Sequence, residues 1–208
     1  MPPKSKTDEQ RKKEKQEIIA ATLDIINKHG LESLSMRKLG SVLNMSGANV
    51  YNYFYSKDEL YLHILMSGFE RLGARLREAV SGFIDPFEAL ENLLEEFFRF
   101  GMEYPSYYEL MFSTRDPKSQ DYVGTPVEQL AKDEKAVAVL SFEALEESVG
   151  KCLPGKAGDE ISAAAALILC EMHGCINLYH TNVLKELDTS AEAMKDAAIS
   201  NIISRLKS

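Results

Sequence analysis

The residues best suited to direct chemistry form one short segment, 46–53, which reads Ser-Gly-Ala-Asn-Val-Tyr-Asn-Tyr. Val50 and the following Phe54 are apolar and can face a protein core. The other side chains are small, or polar with hydrogen-bonding tips, so a helix built from them could closely approach the base edges and phosphates of a duplex. Those side chains belong to Ser46, Gly47, Ala48, Asn49, Tyr51, Asn52 and Tyr53.

Three cations stand at predicted helix starts on either side of this segment. Arg37 and Lys38 follow Ser35, and Lys57 follows Ser56; both serines are typical N-cap residues. A cation in the first turn of a helix opposes the helix dipole, so it needs a further reason to be there. A single such side chain is more often simply solvated, but three of them beside a polar helix favour contacts with phosphates.

The elements that must position these residues are predicted to be helices throughout. Apolar residues recur at helical spacing, and no sustained alternation of apolar and polar residues indicates a strand. Serine, threonine and aspartate caps and prolines at first helical positions mark the starts. The fold class is therefore all-α, with a long loop at 113–124. The nine predicted helices are 14–29, 36–43, 47–53, 57–81, 86–103, 105–112, 126–150, 159–186 and 190–206.

Composition describes an ordinary globular protein with an uneven distribution of charge. The 208 residues are 45% hydrophobic and carry a net charge of −8. Residues 1–57 contain ten Lys/Arg and six Asp/Glu, whereas residues 58–208 contain 14 and 26. A basic first part joined to an acidic remainder favours a polyanionic partner for the first part and another role for the second. We place the domain boundary between residues 57 and 58.

The sequence favours a cytoplasmic location. No run of about 18 uninterrupted apolar residues indicates a membrane helix, and residues 1–16 have charges but no apolar signal region. Cys152, Cys170 and Cys175 are too few for a disulfide framework and are expected to be reduced thiols. Cys170 and Cys175 are expected to lie in the core.

Two patterns suggest other chemistry. Residues 150–157 nearly match a phosphate-binding loop, but the last residue lacks the hydroxyl that would bind magnesium, and a helix is predicted where such a loop follows a strand. A zinc site is suggested by Cys170, His173, Cys175 and His180. On one helix, however, Cys175 would lie about 180° from Cys170, so a tetrahedral site cannot close. With no motif such as G-x-S-x-G or H-E-x-x-H, we expect no metal, no cofactor and no enzymatic activity, and a redox or metal sensor is the alternative for the thiols.

These residues together resemble the DNA-binding domain of the TetR family of transcriptional regulators, with several spacings agreeing over roughly 45 residues. Gly40 stands where alanine is usual in the family, Asn44-Met45 where Gly-Val is usual, and Tyr53 where histidine is usual. The resemblance implies a helix-turn-helix within residues 1–57. It rests on Ile18-Ile19-Ala20-Ala21 through His29-Gly30, Ser35-Met36-Arg37-Lys38-Leu39-Gly40, residues 46–54 and Ser56-Lys57-Asp58-Glu59-Leu60.

The resemblance also implies which side chains contact DNA. Tyr51 and Lys57 would contact phosphates, and Asn49 is the best candidate for a base contact, because its amide both donates and accepts hydrogen bonds. The complete predicted set, from the residue pattern and the resemblance together, is Ser35, Arg37, Lys38, Ser46, Gly47, Ala48, Asn49, Tyr51, Asn52, Tyr53 and Lys57.

A basic leader runs into the first predicted helix. A disordered, solvated tail is the preferred interpretation, and the alternative is an arm that lies in or along the neighbouring minor groove. Deleting residues 1–12 would distinguish the two by DNA affinity. The basic residues are Lys4, Lys6, Arg11, Lys12, Lys13 and Lys15.

The resemblance implies that residues 58–208 bind a small effector. Residues 107–112 and Met172-His173-Gly174 resemble a subset of the family with a His-Gly pair in its penultimate long helix. Aromatic and methionine side chains favour an apolar or aromatic ligand, although most such residues serve in a core. The predicted ligand-binding residues are Met66, Phe69, Phe97, Tyr104, Tyr107, Tyr108, Met111, Phe112, Met172, His173 and Asn177.

The predicted dimer packs helices 159–186 and 190–206 of two subunits into a four-helix arrangement. Small residues allow such helices to approach closely, although the same stripes would fit a core within one chain equally well. One helix-turn-helix covers too little DNA for selective binding, which favours a two-fold dimer. The predicted interface residues are Ala163, Leu167, Met194, Ala198, Ile202 and Leu206.

The sequence thus favours a homodimeric DNA-binding regulator, a repressor that a small apolar or aromatic ligand releases from a palindromic operator. In this mechanism the ligand changes the angle of helix 57–81, so that the two recognition helices no longer match successive half-sites. The alternative is a helical small-molecule binding protein with little or no sequence-specific DNA binding, whose DNA affinity would barely depend on salt.

Overall fold

The computed structural model describes residues 7–30, 33–113 and 117–208, which form ten α-helices and no strand. The all-α prediction is confirmed. A π-helical turn, Glu109–Ser113, and a 3-10 turn, Ser119–Tyr122, complete the regular structure of these residues. The helices are α1 (Asp8–His29), α2 (Met36–Val42), α3 (Gly47–Tyr51), α4 (Lys57–Ala79), α5 (Pro86–Glu103), α6 (Pro105–Tyr108), α7 (Glu128–Cys152), α8 (Gly158–His180), α9 (Val183–Glu186) and α10 (Ala191–Lys207).

Local capping explains why several helices begin where the sequence predicts. At the start of α3, the Ser46 hydroxyl accepts the Asn49 N–H at 3.1 Å. At the start of α4, the Ser56 hydroxyl accepts the Glu59 N–H at 3.0 Å, while the Glu59 carboxylate accepts the N–H of Tyr55 at 2.6 Å. These bonds satisfy donors that the first turn of a helix leaves without partners. Side chains also cap α2, α5 and α10, at Ser35, Asp85 and Ser190.

Helix α1 begins six residues earlier than predicted. Thr7 and Gln10 form a capping box, which starts the helix at Asp8. The predicted disordered tail is therefore wrong for four of its basic residues, which lie on α1, whereas Lys4 and Lys6 lie outside the described residues. The four are Arg11, Lys12, Lys13 and Lys15.

Two long helices also differ from prediction. The segment 159–186 is not one helix, because Asn182 adopts a left-handed conformation, with φ of 61°, and separates α8 from α9. Helix α7 begins at Glu128 and not at residue 126. The Glu128 carboxylate accepts the Gly124 N–H at 2.8 Å, and the Thr125 hydroxyl donates to the Tyr122 carbonyl instead of capping α7.

The chain divides into two compact units. Unit 1 comprises Met1–Ser67 and Glu109–Lys135, and unit 2 comprises Gly68–Tyr108 and Ala136–Ser208. Helix α4 contributes residues to both units. The domain boundary predicted between residues 57 and 58 coincides with the start of α4 and remains a prediction.

Unit 1 has a core beneath α1, α2 and α3. Its fully buried side chains include Ile18, Leu39, Val50 and Phe54. A second cluster contains Leu62, Tyr122, Val127 and Ala131. Burial of this apolar surface holds the short helices α2 and α3, which are too short to be stable alone.

Unit 2 is built on the apolar face of α5, which packs with α8 and α10. Two glycines permit close helix contacts: a Cβ added at Gly73 would lie 2.9 Å from Ser141 Cα, and one at Gly101 would lie 2.9 Å from the Ile176 side chain. The buried Lys195 ammonium of α10 contacts the Glu95 carboxylate of α5 at 2.7 Å.

Helix α8 meets the length and composition expected of a membrane span, with a mean hydropathy of 1.5 over a window that is 28% buried. It is one such helix in the described part of the chain. Length and composition alone are weak evidence for a membrane span.

Candidate nucleic-acid interface

The turn between α2 and α3 explains two departures from the family pattern. A Cβ at Gly40 would lie 2.8 Å from the Met45 carbonyl oxygen and 3.0 Å from the Gly47 nitrogen, so only glycine fits without a backbone shift. Asn44 has φ of 53°, a left-handed conformation that asparagine tolerates better than most residues. The turn is therefore compatible with both substitutions.

Helix α3 packs one face against the core of unit 1 and exposes the opposite face. Val50 and the following Phe54 are 0% exposed, which confirms their predicted inward position. Ala48, Asn49 and Tyr51 point away from this core, and Tyr51 is 52% exposed. The helix thus presents a small, polar surface that a duplex could approach.

None of the eleven predicted DNA-contacting residues is buried. Lys38, Gly47 and Tyr53 are half-buried. The cations Arg37 and Lys57 are exposed in the first turns of α2 and α4, as expected for phosphate contacts. The exposed members are Ser35, Arg37, Ser46, Ala48, Asn49, Tyr51, Asn52 and Lys57.

The Ser35 and Ser46 hydroxyls already accept a backbone N–H, at 3.2 and 3.1 Å. A hydroxyl can accept and donate at the same time. Each serine can therefore cap its helix and still donate its proton to a phosphate.

Two contacts between α1 and the residues that follow α3 were not predicted from the sequence. The Tyr53 hydroxyl donates to the Glu14 carboxylate at 2.6 Å, and the Lys15 ammonium lies 5.0 Å from the centroid of the Phe54 ring. The helical spacing of residues 11, 14, 15 and 18 places them on one face of α1. That signal becomes useful only once the helix is known to begin before residue 14.

Two family models match the sequence. The model of bacterial regulatory proteins of the tetR family matches residues 18–64, and the model of the tetracyclin repressor-like C-terminal domain matches residues 90–202, which is more than half of the chain. The chain belongs to the TetR family. Helices α2 and α3 are the helix-turn-helix of a DNA-binding transcription regulator, and both matched domains are those of a regulator.

Solved structures show the same fold at low sequence identity. The TetR-family regulator PfmR of Thermus thermophilus aligns with a TM-score of 0.69 and 19% identity, covering 90% of this chain and 97% of PfmR. A protein of unknown function from Rhodococcus sp. RHA1 aligns with a TM-score of 0.76 and 18% identity over 100% of both chains. A tetR-family regulatory protein from Rhodococcus RHA1 aligns with a TM-score of 0.68 and 13% identity, covering 92% and 96%. No curated protein sequence matches significantly.

The predicted ligand-binding residues of this TetR-family protein fall into both units. In unit 2, Phe97, Tyr108 and His173 meet: the Phe97 and His173 ring centroids are 5.4 Å apart, and the Tyr108 hydroxyl contacts His173 Nδ1. The other members in unit 2 are Phe69, which packs against Phe142, Tyr104 and Tyr107, which pack together, the buried Met172 and the exposed Asn177. Those in unit 1 are the half-buried Met66 and Phe112 and the buried Met111.

Burial widens the pH range over which the Phe97, Tyr108 and His173 cluster is electrically neutral. It lowers the pKa of His173 to about 4 and raises the pKa of Tyr108 above its ordinary value, since a charged ring or phenolate would lose water contacts. Neutral aromatic surroundings suit an uncharged ligand better than an ion. Two clefts of unit 2, of about 380 and 320 Å³, are lined by residues of α4, α5 and α10 and by none of the predicted ligand-binding residues.

The predicted dimer stripe of α10 faces its own unit. Ile202 is 0% exposed, so its placement at a subunit interface was wrong, and Met194, Ala198 and Leu206 are half-buried. The periodicity identified the buried face of α10, because core and interface stripes have the same spacing. The small residues that α10 exposes are Ala193, Ala197, Ser200 and Ser204.

Helix α8 does expose its predicted interface residues. Ala163 is exposed, and Leu167 is 61% exposed. Cys170 and Gly174 extend the same side of the helix at spacings of three and four residues, and a Cβ at Gly174 would meet nothing within 4 Å. We call Ala163, Leu167, Cys170 and Gly174 the α8 stripe.

The thiols do not share one environment. Cys175 is buried, as predicted, and Cys152 is buried too, but Cys170 is exposed, so its prediction as a core thiol was wrong. Burial raises the pKa of the Cys152 thiol from its ordinary value of 9 to about 11, so the thiol stays protonated even in mildly alkaline solution. Among the described residues, no group of three or more His, Cys, Asp or Glu side chains is arranged to hold a metal ion. In the segment resembling a phosphate-binding loop, the Lys156 ammonium binds the Glu160 carboxylate at 2.9 Å.

Proposed function

We propose that the protein is a homodimeric transcriptional repressor that binds a palindromic operator and is released by a small, uncharged apolar or aromatic ligand. The observation that carries this proposal is the exposed polar face of α3. The fully buried Val50 and Phe54 hold the opposite face against the core of unit 1. Exposed Arg37 and Lys57 beside it supply charge for phosphates. A cytoplasmic location, without enzymatic activity, follows from this role.

The α8 stripe supports the dimer. An exposed row of apolar and small residues on a long helix is unfavourable in water and lets a second helix approach closely. Ala193 and Ala197 offer a similar surface on the neighbouring α10. We propose that α8 and α10 of two subunits form a four-helix interface, so that two copies of α3 address two half-sites.

Coupling between ligand and DNA is proposed to run through α4. The helix begins at Lys57, six residues after the end of the helix-turn-helix α2–α3, and continues into unit 2. There Phe69 packs on Phe142 and Gly73 lies against Ser141. A ligand that changes the packing of α4 in unit 2 would change the geometry of the same helix at its start. By linkage, such a ligand binds the DNA-incompetent state more tightly.

The test is selection of bound sites from a random duplex library with purified protein, followed by affinity measurements at several salt concentrations. Enrichment of one palindrome with a steep salt dependence supports the proposal. No enrichment and a nearly flat salt dependence, with folded dimeric protein, would contradict it and favour a helical ligand-binding protein without sequence-specific DNA binding.

The dimer has its own variant and control. Leu167→Glu places a charge in the α8 stripe and should give a monomer in sedimentation, with loss of palindrome binding. Leu140→Glu, on α7 at 49% exposure, changes a similar surface leucine outside the stripe and should leave the dimer intact. Equal behaviour of the two variants would refute the proposed interface.

A further inference from the structure

We propose that Glu14 is a positioning residue for DNA binding, which holds the Tyr53 hydroxyl so that Tyr53 braces α3 against α1 and does not contact a phosphate. This inference rests on the proposed function and revises one of its predicted contacts. It concerns a residue outside the helix-turn-helix itself, on a helix whose first turns the sequence pattern did not predict.

Two neighbouring contacts, Tyr53 with Glu14 and Phe54 with Lys15, form what we call the brace. The Tyr53 hydroxyl donates to Glu14 Oε2 at 2.6 Å, and the contact is partly buried. Next to it, the Lys15 ammonium lies 5.0 Å from the Phe54 ring centroid, within the range of a cation–π interaction. Phe54 is itself 0% exposed and belongs to the core of unit 1. The first half of α1 is thus fixed to the residues that directly follow α3.

The chemistry of the hydroxyl decides between a brace and a phosphate contact. A tyrosine hydroxyl has one proton, and the oxygens of a phosphodiester only accept hydrogen bonds. While Tyr53 donates to Glu14, it cannot donate to DNA. A bond to an ionised carboxylate is among the stronger hydrogen bonds in proteins, so a phosphate has little advantage as a replacement. Tyr51 differs, because its side chain is 52% exposed on α3.

The charge of Glu14 supports the same conclusion. A carboxylate close to the predicted phosphate-binding surface repels DNA, which is unfavourable unless the residue contributes something else. The hydrogen bond to Tyr53 supplies that contribution.

The experiment is a double-mutant cycle that separates the charge of Glu14 from its hydrogen bond. Glu14→Gln removes the charge and keeps an acceptor, whereas Glu14→Ala removes both. Each is made with Tyr53 present and with Tyr53→Phe, and affinity is measured for the selected operator and for one mixed-sequence duplex of about 30 base pairs at low salt. Far-ultraviolet circular dichroism and thermal unfolding verify that each variant is folded.

If the brace exists, Glu14→Ala binds about three- to ten-fold more weakly than Glu14→Gln, the range that one hydrogen bond implies. In the Tyr53→Phe background, the alanine and glutamine variants bind equally. The matched control is Tyr51→Phe, which should change affinity by the same factor whichever residue occupies position 14.

The proposal is overturned if Glu14→Gln and Glu14→Ala bind DNA equally tightly with Tyr53 present. It is also overturned if both bind more tightly than the wild type while Tyr53→Phe cancels that gain, because the released hydroxyl would then be contacting phosphate. Failure of the proposed function is distinguishable: the wild-type protein itself would bind neither duplex, irrespective of the residues at positions 14 and 53.

Discussion

His173 should make the stability of this TetR-family protein sensitive to mild acid. Its imidazole is enclosed by Phe97 and by Tyr108, whose hydroxyl contacts Nδ1. Burial lowers the pKa of His173 from an ordinary value of 6.5 to about 4. We therefore compare how a fall in pH changes the stability of the wild type and of the variant His173→Asn. The asparagine amide can still bond to Tyr108, but it does not titrate.

The sign follows from proton binding in the two states. As the pH falls through 6.5, the unfolded chain takes up a proton on His173, whereas the folded chain does so only near pH 4. Stability contributed by the neutral ring is therefore complete above about pH 6.5 and is lost as the pH falls toward 4. Between about pH 7.5 and pH 5 the loss amounts to about 2 kcal/mol, as an upper limit for a half-buried ring.

The assay is urea unfolding at both pH values, at one fixed protein concentration because dimerisation contributes to stability. The wild type should lose about 2 kcal/mol more than His173→Asn over this interval. Subtracting the variant removes the contribution of all other titrating groups. An NMR titration of the His173 ring provides an independent value for its pKa.

An equal loss of stability in the two proteins would refute the reasoning, because it would mean that His173 titrates alike in the folded and unfolded chains. A ring signal that titrates near 6.5 in the folded protein would refute it directly. A lower stability of His173→Asn at pH 7.5 would reflect lost packing. The test is the change in stability between pH 7.5 and pH 5 in each protein.

Three further predictions concern the helix-turn-helix and the start of α4. Gly40→Ala should lower the free energy of unfolding by about 1–3 kcal/mol in urea, because the new Cβ meets backbone atoms. The control Gly150→Ala, whose Cβ has ordinary contacts, should have no such effect. Equal effects of the two variants would contradict this account. Asn44→Val should lower the free energy of unfolding by about 1–2 kcal/mol, because position 44 has a positive φ. Asn44→Gly should not lower it. An equally stable valine variant would contradict the argument from backbone strain. Lys57→Ala should weaken DNA binding about equally for all sequences and reduce the salt slope by about one, and an unchanged slope would exclude Lys57 from phosphate contact.

Predictions from the sequence agree best with the structure where the signals are local. Caps at Ser46 and Ser56 are set by residues three positions apart, and the structure contains the bonds they predict. The inward positions of Val50 and Phe54 follow from the same short-range pattern. The late start assigned to α1 was an omission, since the Thr7–Gln10 capping box is also local.

The face that a long helix turns inward was harder to predict. A stripe at helical spacing is identical whether it packs within a subunit or between subunits, so periodicity places Ile202 at an interface although it is buried within its own unit. Cys170 was placed in the core for a similar reason, because thiols are usually buried and its exposure depends on what packs against α8.

Local patterns were enough to predict the all-α class and the polar composition of the helix-turn-helix, because periodicity, caps and small polar residues act over a few positions. The contact of Glu14 with Tyr53, 39 positions away, and the enclosure of His173 by Phe97 and Tyr108 are visible only in the folded chain. Such contacts depend on the packing of whole helices, and the side chains involved carry no local mark of their partners.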